Sequence, residues 1–134
     1  MTIVEEILKK SRTVAIVGLS SNPERASNSV GKYLKEHGYI IIPVNPGEKT
    51  ILDETCYPDL ASIPDKVDVV DIFRKPEDVL PIVQQAIKIG AKCVWMQEGV
   101  INEEAAAEAH KAGLKVVMDA CIRKQHINLH GGKA

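Results

Sequence analysis

The sequence predicts an α/β fold in three layers: a five-stranded parallel sheet, in the order 3-2-1-4-5, with helices on both faces. Three observations carry this expectation. Five short apolar runs recur along the chain, and the first, Thr13 to Val17, lacks apolar–polar alternation, as a strand buried on both faces does. Between them lie segments whose apolar residues are spaced three and four apart. Gly38, Gly90 and Gly113 follow three of those segments, where the end of a helix favours glycine. Alternating strands and helices imply a parallel sheet, and right-handed crossovers favour the stated order.

The elements follow in turn. Thr2 and Glu5 have capping-box spacing before a short helix with Ile3, Ile7 and Leu8 on one stripe. Thr13 to Val17 is the first strand. A helix starts near Ser27 or Asn28, with Val30, Tyr33, Leu34 and His37 on one face. Tyr39 to Val44 is the second strand. Pro43 lies within it, which is awkward for a central strand and places it near the strand end. Asn45-Pro46-Gly47 makes a turn. Glu48 to Lys66 reads as irregular, with room for a short helix at Asp59 to Ile63. Val67 to Phe73 is the third strand. Pro76 suits the first turn of a helix whose buried stripe is Val79, Ile82, Val83, Ala86 and Ile87. Lys92 to Met96 is the fourth strand. Asn102 caps a helix through Ala105, Ala106 and Ala109. Leu114 to Met118 is the fifth strand, and Cys121 to Leu129 a final short helix. Gly131 to Ala134 reads as a loose tail.

The 134 residues fit one domain, 1–134, with enough chain to bury a core. Apolar residues are 45% and charged residues 26%, ordinary for a globular protein. A net charge of −1 gives no general reason to expect nucleic acid or an anionic membrane as partner. No apolar run approaches bilayer-spanning length. The start "MTIVEEILKK" lacks the apolar core of a secretory signal, so a cytoplasmic location is the expectation. Cys56, Cys93 and Cys121 are odd in number and widely spaced, which fits a reducing compartment.

In an open parallel sheet, ligands bind beyond the carboxyl ends of the strands. The segments there are "GLSSNPER", "NPGEK", "RKP" and "QEGV". Small residues, amides, hydroxyls and cations converge in them. That mixture suits a phosphate-bearing ligand, held by backbone N–H groups and neutralised by Arg25, Lys49, Arg74 and Lys75. Each cation taken singly also reads as a solvated surface charge. A dinucleotide fingerprint would require three glycines after the first strand and an acid after the second. Only Gly18 is present, and the second strand ends in Asn45. An NAD(P)-dependent oxidoreductase is therefore the disfavoured alternative.

The blocks "GLSSNPERASNSVGKYLKEHGYIIIPVNP", "CYPDLASIPDKVDVVDIF" and "AKCVWMQEGVINEEAAAEAHKAGLKVVMDACI" cover nearly the whole chain. Together they resemble the small stand-alone coenzyme A-binding proteins. These are single Rossmann-like domains, similar to the N-terminal CoA-binding domain of the succinyl-CoA synthetase alpha subunit. The resemblance implies that Gly18 and Ser20 pack main chain against the CoA diphosphate and that Arg25 contacts phosphate. It places Asn45, Pro46 and Lys49 toward the adenosine end. It places Phe73, Arg74 and Pro76 along the adenine pocket, and Gln97, Glu98 and Gly99 in the turn after the fourth strand. Trp95, next to that turn, reads as core.

The resemblance also implies a CoA-binding or acyl-CoA-binding protein without catalytic machinery of its own. The synthetase's phosphorylated histidine belongs to a second domain that has no counterpart in these 134 residues. A third reading is a subunit that presents acyl-CoA to a separate ligase chain. A homodimer is a plausible assembly for a domain of this size. His37 and His110 fall late in helices, where imidazoles interact with the helix dipole. Cys121, His126 and His130 raise a metal reading, but no second cysteine or acidic ligand is near. A frayed last helix with exposed imidazoles is the plainer expectation, so no metal site is assigned. Cys121, at the carboxyl edge of the sheet, raises a mixed disulfide with the CoA thiol, against the plainer role of a small buried apolar residue.

Overall fold

The computed structural model describes residues 2–131, so Gly132 to Ala134 of the expected tail lie outside the described residues. The helices are α1 (Ile3–Lys10), α2 (Ala26–Glu36), α3 (Val79–Lys88), α4 (Glu103–Lys111) and α5 (Ile122–Leu129). The strands are β1 (Thr13–Val17), β2 (Ile40–Val44), β3 (Thr50–Ile51), β4 (Glu54–Thr55), β5 (Val69–Ile72), β6 (Cys93–Met96) and β7 (Lys115–Val117). Thr2 and Asn102 cap α1 and α4 as their spacing predicts, accepting from the backbone N–H of Glu5 and Ala105. Ile7 and Leu8 of α1 are buried, whereas Ile3 is exposed. Among the described residues no helix is long and apolar enough to cross a membrane.

The fold class is the expected one, a parallel five-stranded sheet between two helical layers. The main sheet runs β2-β1-β5-β6-β7. Counting its strands alone, the order is 2-1-3-4-5, so the third strand (β5) lies beside the first and not outside the second. Pro43 supplies the reason. Ile40 N–H and the Val44 carbonyl face β1, bonding to Arg12 and Gly18, which turns Pro43 to the outer side of β2. A third strand paired there would need an amide proton that proline lacks. Tyr57 covers that edge instead: its N–H donates to the Pro43 carbonyl and its carbonyl accepts from Asn45 N–H. The chain reverses its winding between β1 and β5, and this is where a ligand crevice opens.

Two apolar cores flank the sheet. Ala15, Val17, Val70, Ile72, Val94 and Met96 face α3 and α4. Val14, Ile16, Val69, Cys93, Trp95 and Val117 face α1, α2 and α5. Trp95 is wholly buried, and its indole N–H donates to the Ala120 carbonyl at 2.8 Å. Asp71 shares that second face, in register with Ile16 and Trp95. It is 0% exposed, and neither carboxyl oxygen has a hydrogen-bond partner among the described residues. Burial pushes its pKa well above the ordinary aspartate value, because an unpaired charge in an apolar interior is far costlier than a neutral acid. The neighbouring Cys93 thiol is pushed up to about 12, by burial first and by Asp71 second.

Helix α5 is not frayed. His126 is buried, and its Nδ1 is hydrogen-bonded to the Tyr33 hydroxyl of α2 at 2.7 Å. His37 stacks on the Tyr33 ring with centroids 3.9 Å apart, and the His130 ring lies 4.5 Å from that of His126. These rings pin the C-terminal ends of α2 and α5 together. Burial, then His130 and His37, hold the His126 pKa below its ordinary value.

The segment after β2 also departs from expectation. Thr50 to Thr55 forms a small antiparallel hairpin, β3–β4. Its two turn residues, Leu52 and Asp53, both have positive φ. A two-residue hairpin turn demands that backbone and ordinarily takes Asn-Gly or Asp-Gly. No such pair marks the sequence here, so the segment reads as irregular. The short helix expected near Asp59 is a 3-10 turn, Leu60–Ser62, capped by the Asp59 carboxylate.

Gly18 leaves β1 with φ +88°, and a Cβ there would lie 2.4 Å from the Phe73 carbonyl oxygen. Gly18→Ala is expected to lower stability by about 2–4 kcal/mol, the sum of left-handed strain and a backbone clash; urea titration reads it, and an unchanged midpoint refutes the close approach. Asp71 keeps its proton when folded and loses it when unfolded above about pH 4. Stability from this group therefore falls as pH rises from there toward its elevated pKa. Asp71→Asn is expected to match wild type near pH 4 and exceed it by roughly 1–3 kcal/mol at pH 8; a pH-independent difference would sink the assignment. His126 works in the opposite sense. Its contribution is complete above about pH 6.5 and is lost as pH falls toward its lowered pKa. His126→Gln is expected to flatten melting temperature between pH 7 and 5, and an unaltered slope would contradict it.

Candidate functional site

An open cleft of about 730 Å3 lies over the carboxyl ends of β1, β5 and β6. Its walls come from the loop after β1, the start of α2, the turn after β5, the turn after β6, and the start of α5. A second cavity of about 270 Å3 adjoins it over β2, and the two share Gly18, Arg74 and Asp78. Their combined size suits an elongated ligand with two unequal halves.

Local hydrogen bonds build the loop after β1. Ser20 N–H donates to the Ser27 hydroxyl at 3.0 Å, and the Asn28 amide donates to the Ser20 carbonyl at 2.8 Å. Both acceptor and donor side chains sit buried in the first turn of α2. The loop is thereby folded back onto the helix, and Asn22 closes its tip by accepting from Glu24 N–H. Arg25 stands at the N-cap of α2 without making a side-chain cap. Its guanidinium is left for the cleft.

The cleft differs in charge from the rest of the chain. Five cations line it, Arg25, Arg74, Lys75, Arg123 and Lys124, against two carboxylates, Asp78 and Glu98. The whole chain carries −1, so the positive excess is concentrated in one place. Helices α2 and α5, which both start in this cleft, have no acid in their first turns. By contrast α1 and α4 begin with paired glutamates, the usual complement to the positive end of a helix. The starts of α2 and α5 thus present their positive ends to the cleft without a carboxylate from their own first turns.

Of the residues expected at the site, Gly18, Arg25, Phe73, Arg74, Gln97 and Glu98 line the larger cleft. Asn45 and Pro46 line the smaller cavity with Gly18 and Arg74. Ser20, Lys49, Pro76 and Gly99 line neither. Ser20 shapes the loop, Pro76 accepts from the Asn102 amide, and Gly99 N–H donates to Asp119. Asn45 is committed internally: its amide donates to the Leu19 carbonyl at 3.0 Å and its oxygen accepts from Gly47 N–H at 2.9 Å. Gln97 is buried and accepts from the N–H of Ile122, tying the turn after β6 to the start of α5. Cys121 lines the cleft but is only 6% exposed.

Sequence reading missed Ser27, Ser29, Arg123 and Lys124, which also line the cleft. The signal was present in "CIRKQH", a helix start with two cations and no acid. The histidines lie away from this cleft: none of the four lines it. Among the described residues no three His, Cys, Asp or Glu side chains are grouped to hold a metal ion.

The chain is similar to known proteins in both sequence and fold. A model described as "CoA binding domain" matches residues 12–127. YneT of Bacillus subtilis is 37% identical over 123 residues, covering 92% of this chain and 91% of that protein. The solved structure of a hypothetical protein from Pyrococcus horikoshii OT3 is 47% identical with a TM-score of 0.93, covering 96% of this chain and 90% of that one. The alpha subunit of acetate–CoA ligase (ADP-forming) II from Pyrococcus furiosus is 29% identical over 132 residues. The match covers 89% of this chain but only 29% of that subunit. Since the family model spans most of the sequence, the chain belongs to the CoA-binding domain family.

Proposed function

We propose that the protein binds coenzyme A, free or as an acyl thioester, in the paired cavities over β1, β2, β5 and β6. The observation that carries this reading is the cationic cleft at the start of α2, within a family described by CoA binding. The diphosphate would rest against the Gly18 loop and the first turn of α2, with Arg25 and Arg74 as counter-charges. Arg74 is weakly engaged meanwhile, 3.6 Å from Asp78 across an exposed pair, so an incoming phosphate competes with little.

The protein acts in this reading as a carrier or sensor, without catalysis of its own. The dinucleotide alternative is poorly supported, because Asn45 stands where an acid would bind ribose and its side chain is already bonded on both sides. A second reading, a CoA-presenting subunit of a ligase, is favoured by the likeness to a ligase alpha subunit. Its mark would be a ligase chain that copurifies and turns over acyl-CoA only with this protein present.

Calorimetric titration of ligand-stripped protein with CoA, NAD, NADP and ADP tests the main reading. CoA is expected to bind at least about tenfold more tightly than either dinucleotide, and Arg25→Ala to weaken it by about tenfold, the worth of one charge-assisted hydrogen bond. Raising the salt should weaken binding as well. Tighter binding of NAD or NADP would overturn it.

A further inference from the structure

Of the five cleft cations, Arg123 alone is half-buried; Arg25, Arg74, Lys75 and Lys124 are exposed. Its side chain leaves the first turn of α5 and reaches α2, where one terminal nitrogen donates to the Ser29 hydroxyl at 2.5 Å. Ser29 stands in the first turn of α2, the seat already proposed for the diphosphate. One turn further along both helices, the Tyr33 hydroxyl and His126 Nδ1 are bonded at 2.7 Å. The two contacts hold the start of α5 against α2, so the guanidinium is set in place before a ligand arrives. Arg74 and Lys124 are paired with Asp78 and Glu98, whereas Arg123 has no carboxylate partner among the described residues. Ser29 is neutral, so it orients the charge without neutralising it. Arg123 Nε is buried and has no acceptor among the described residues, which is costly to the empty protein.

The backbone beside it is also open. The N–H groups of Asn28 and Ser29 both donate to the Arg25 carbonyl, while those of Ala26 and Ser27 have no acceptor among the described residues. A planar fork that is already ordered loses little side-chain freedom when it binds, and half-burial reduces its screening by salt. Exposed Arg25 and Arg74 have neither advantage. We propose that Arg123 is the principal phosphate ligand of the diphosphate seat, closing it from the α5 side against the first turn of α2, and that Ser29 is the residue that positions it. This inference rests on the CoA reading and deepens it by naming the residue on which that seat turns. Arg25 and Arg74 then contribute screened charge at the mouth of the cleft.

CoA and 3′-dephospho-CoA share the diphosphate and differ in the other phosphate. Calorimetry with both is done on wild type, Arg123→Gln, Arg123→Lys and Ser29→Ala, with the melting temperature of each unliganded protein. Arg123→Gln is expected to weaken both ligands by the same factor, about tenfold or more. Arg123→Lys keeps the charge but not the fork, so it should recover part of the loss, and it covers a glutamine variant that fails to fold. Ser29→Ala should weaken both ligands by about threefold and add nothing in the Arg123→Gln background. The unliganded melting temperature of Arg123→Gln is expected to be unchanged or raised, which a purely structural role would not give. A loss confined to CoA assigns Arg123 to the 3′-phosphate and overturns the proposal. Unchanged affinity for both ligands overturns it too, as does a loss that tracks a falling melting temperature across the variants. In each of those cases CoA binding by wild type still stands. Failure of wild type to bind either ligand overturns the CoA reading and this inference together.

Discussion

The molecule depends on one close approach, that of Gly18 to the Phe73 carbonyl. Two strands end side by side there, and the chain from β1 turns away where a side chain would strike the backbone leaving β5. Gly18 N–H bonds to the Val44 carbonyl in the same stroke. One residue without a Cβ therefore joins the ends of three strands. The tightness on one side creates room on the other, because the loop that follows lifts over the sheet and delivers Arg25 and the start of α2 to the cleft. A bulkier residue would separate β1 from β5 where the two helical layers diverge.

Electrostatics follow from that geometry. Two helices begin in one crevice with their N–H ends inward, and neither brings a carboxylate to meet them. At α1 and α4 the chain supplies its own acids to the helix starts. Charge balance at the helix start is completed within the chain at α1 and α4 and is left open at α2 and α5. The folded protein holds this imbalance because the cations are mostly solvated, which keeps their mutual repulsion small. Arg123 is the exception, and its anchor on Ser29 shows how a single hydroxyl can aim a charge without quenching it.

Much of this was legible from residues alone, for physical reasons that differ by region. Short apolar runs set between helical patterns made the five main strands visible, and the unalternating run Thr13 to Val17 reported burial on both faces. Caps at Thr2 and Asn102 and the glycines after helices fixed most boundaries. Strand order was less legible, although Pro43 held the answer: an amide nitrogen without a proton must face an edge. The hairpin at Leu52 and Asp53 was hidden because leucine disfavours left-handed backbone and no glycine stands beside Asp53 to mark the turn. Contacts on α5 hold its rings in place, which no periodicity announces, so His126 looked exposed and Arg123 escaped notice. Asp71 was hidden for the opposite reason, since a carboxylate within a strand does not declare which neighbours it lacks. The site residues near the first loop were recognisable by pattern, but the division of labour among them was not. Ser20, Asn45 and Gly99 use their polar groups to shape loops, whereas Arg25 and Arg74 stay exposed at the cleft, Arg74 held only by an exposed pair with Asp78.

The edge of β2 has a consequence for how copies of the chain meet. An open strand edge invites a neighbour to extend the sheet, the first step toward fibrils and swapped assemblies. Here Pro43 offers no proton on that side, and Tyr57 already occupies the flanking carbonyl and amide. The ribbon is closed off by its own sequence. The opposite edge, β7, is three residues long and carries Lys115, which is tied to Glu6 of α1. Crowding such molecules together therefore gains little from backbone pairing.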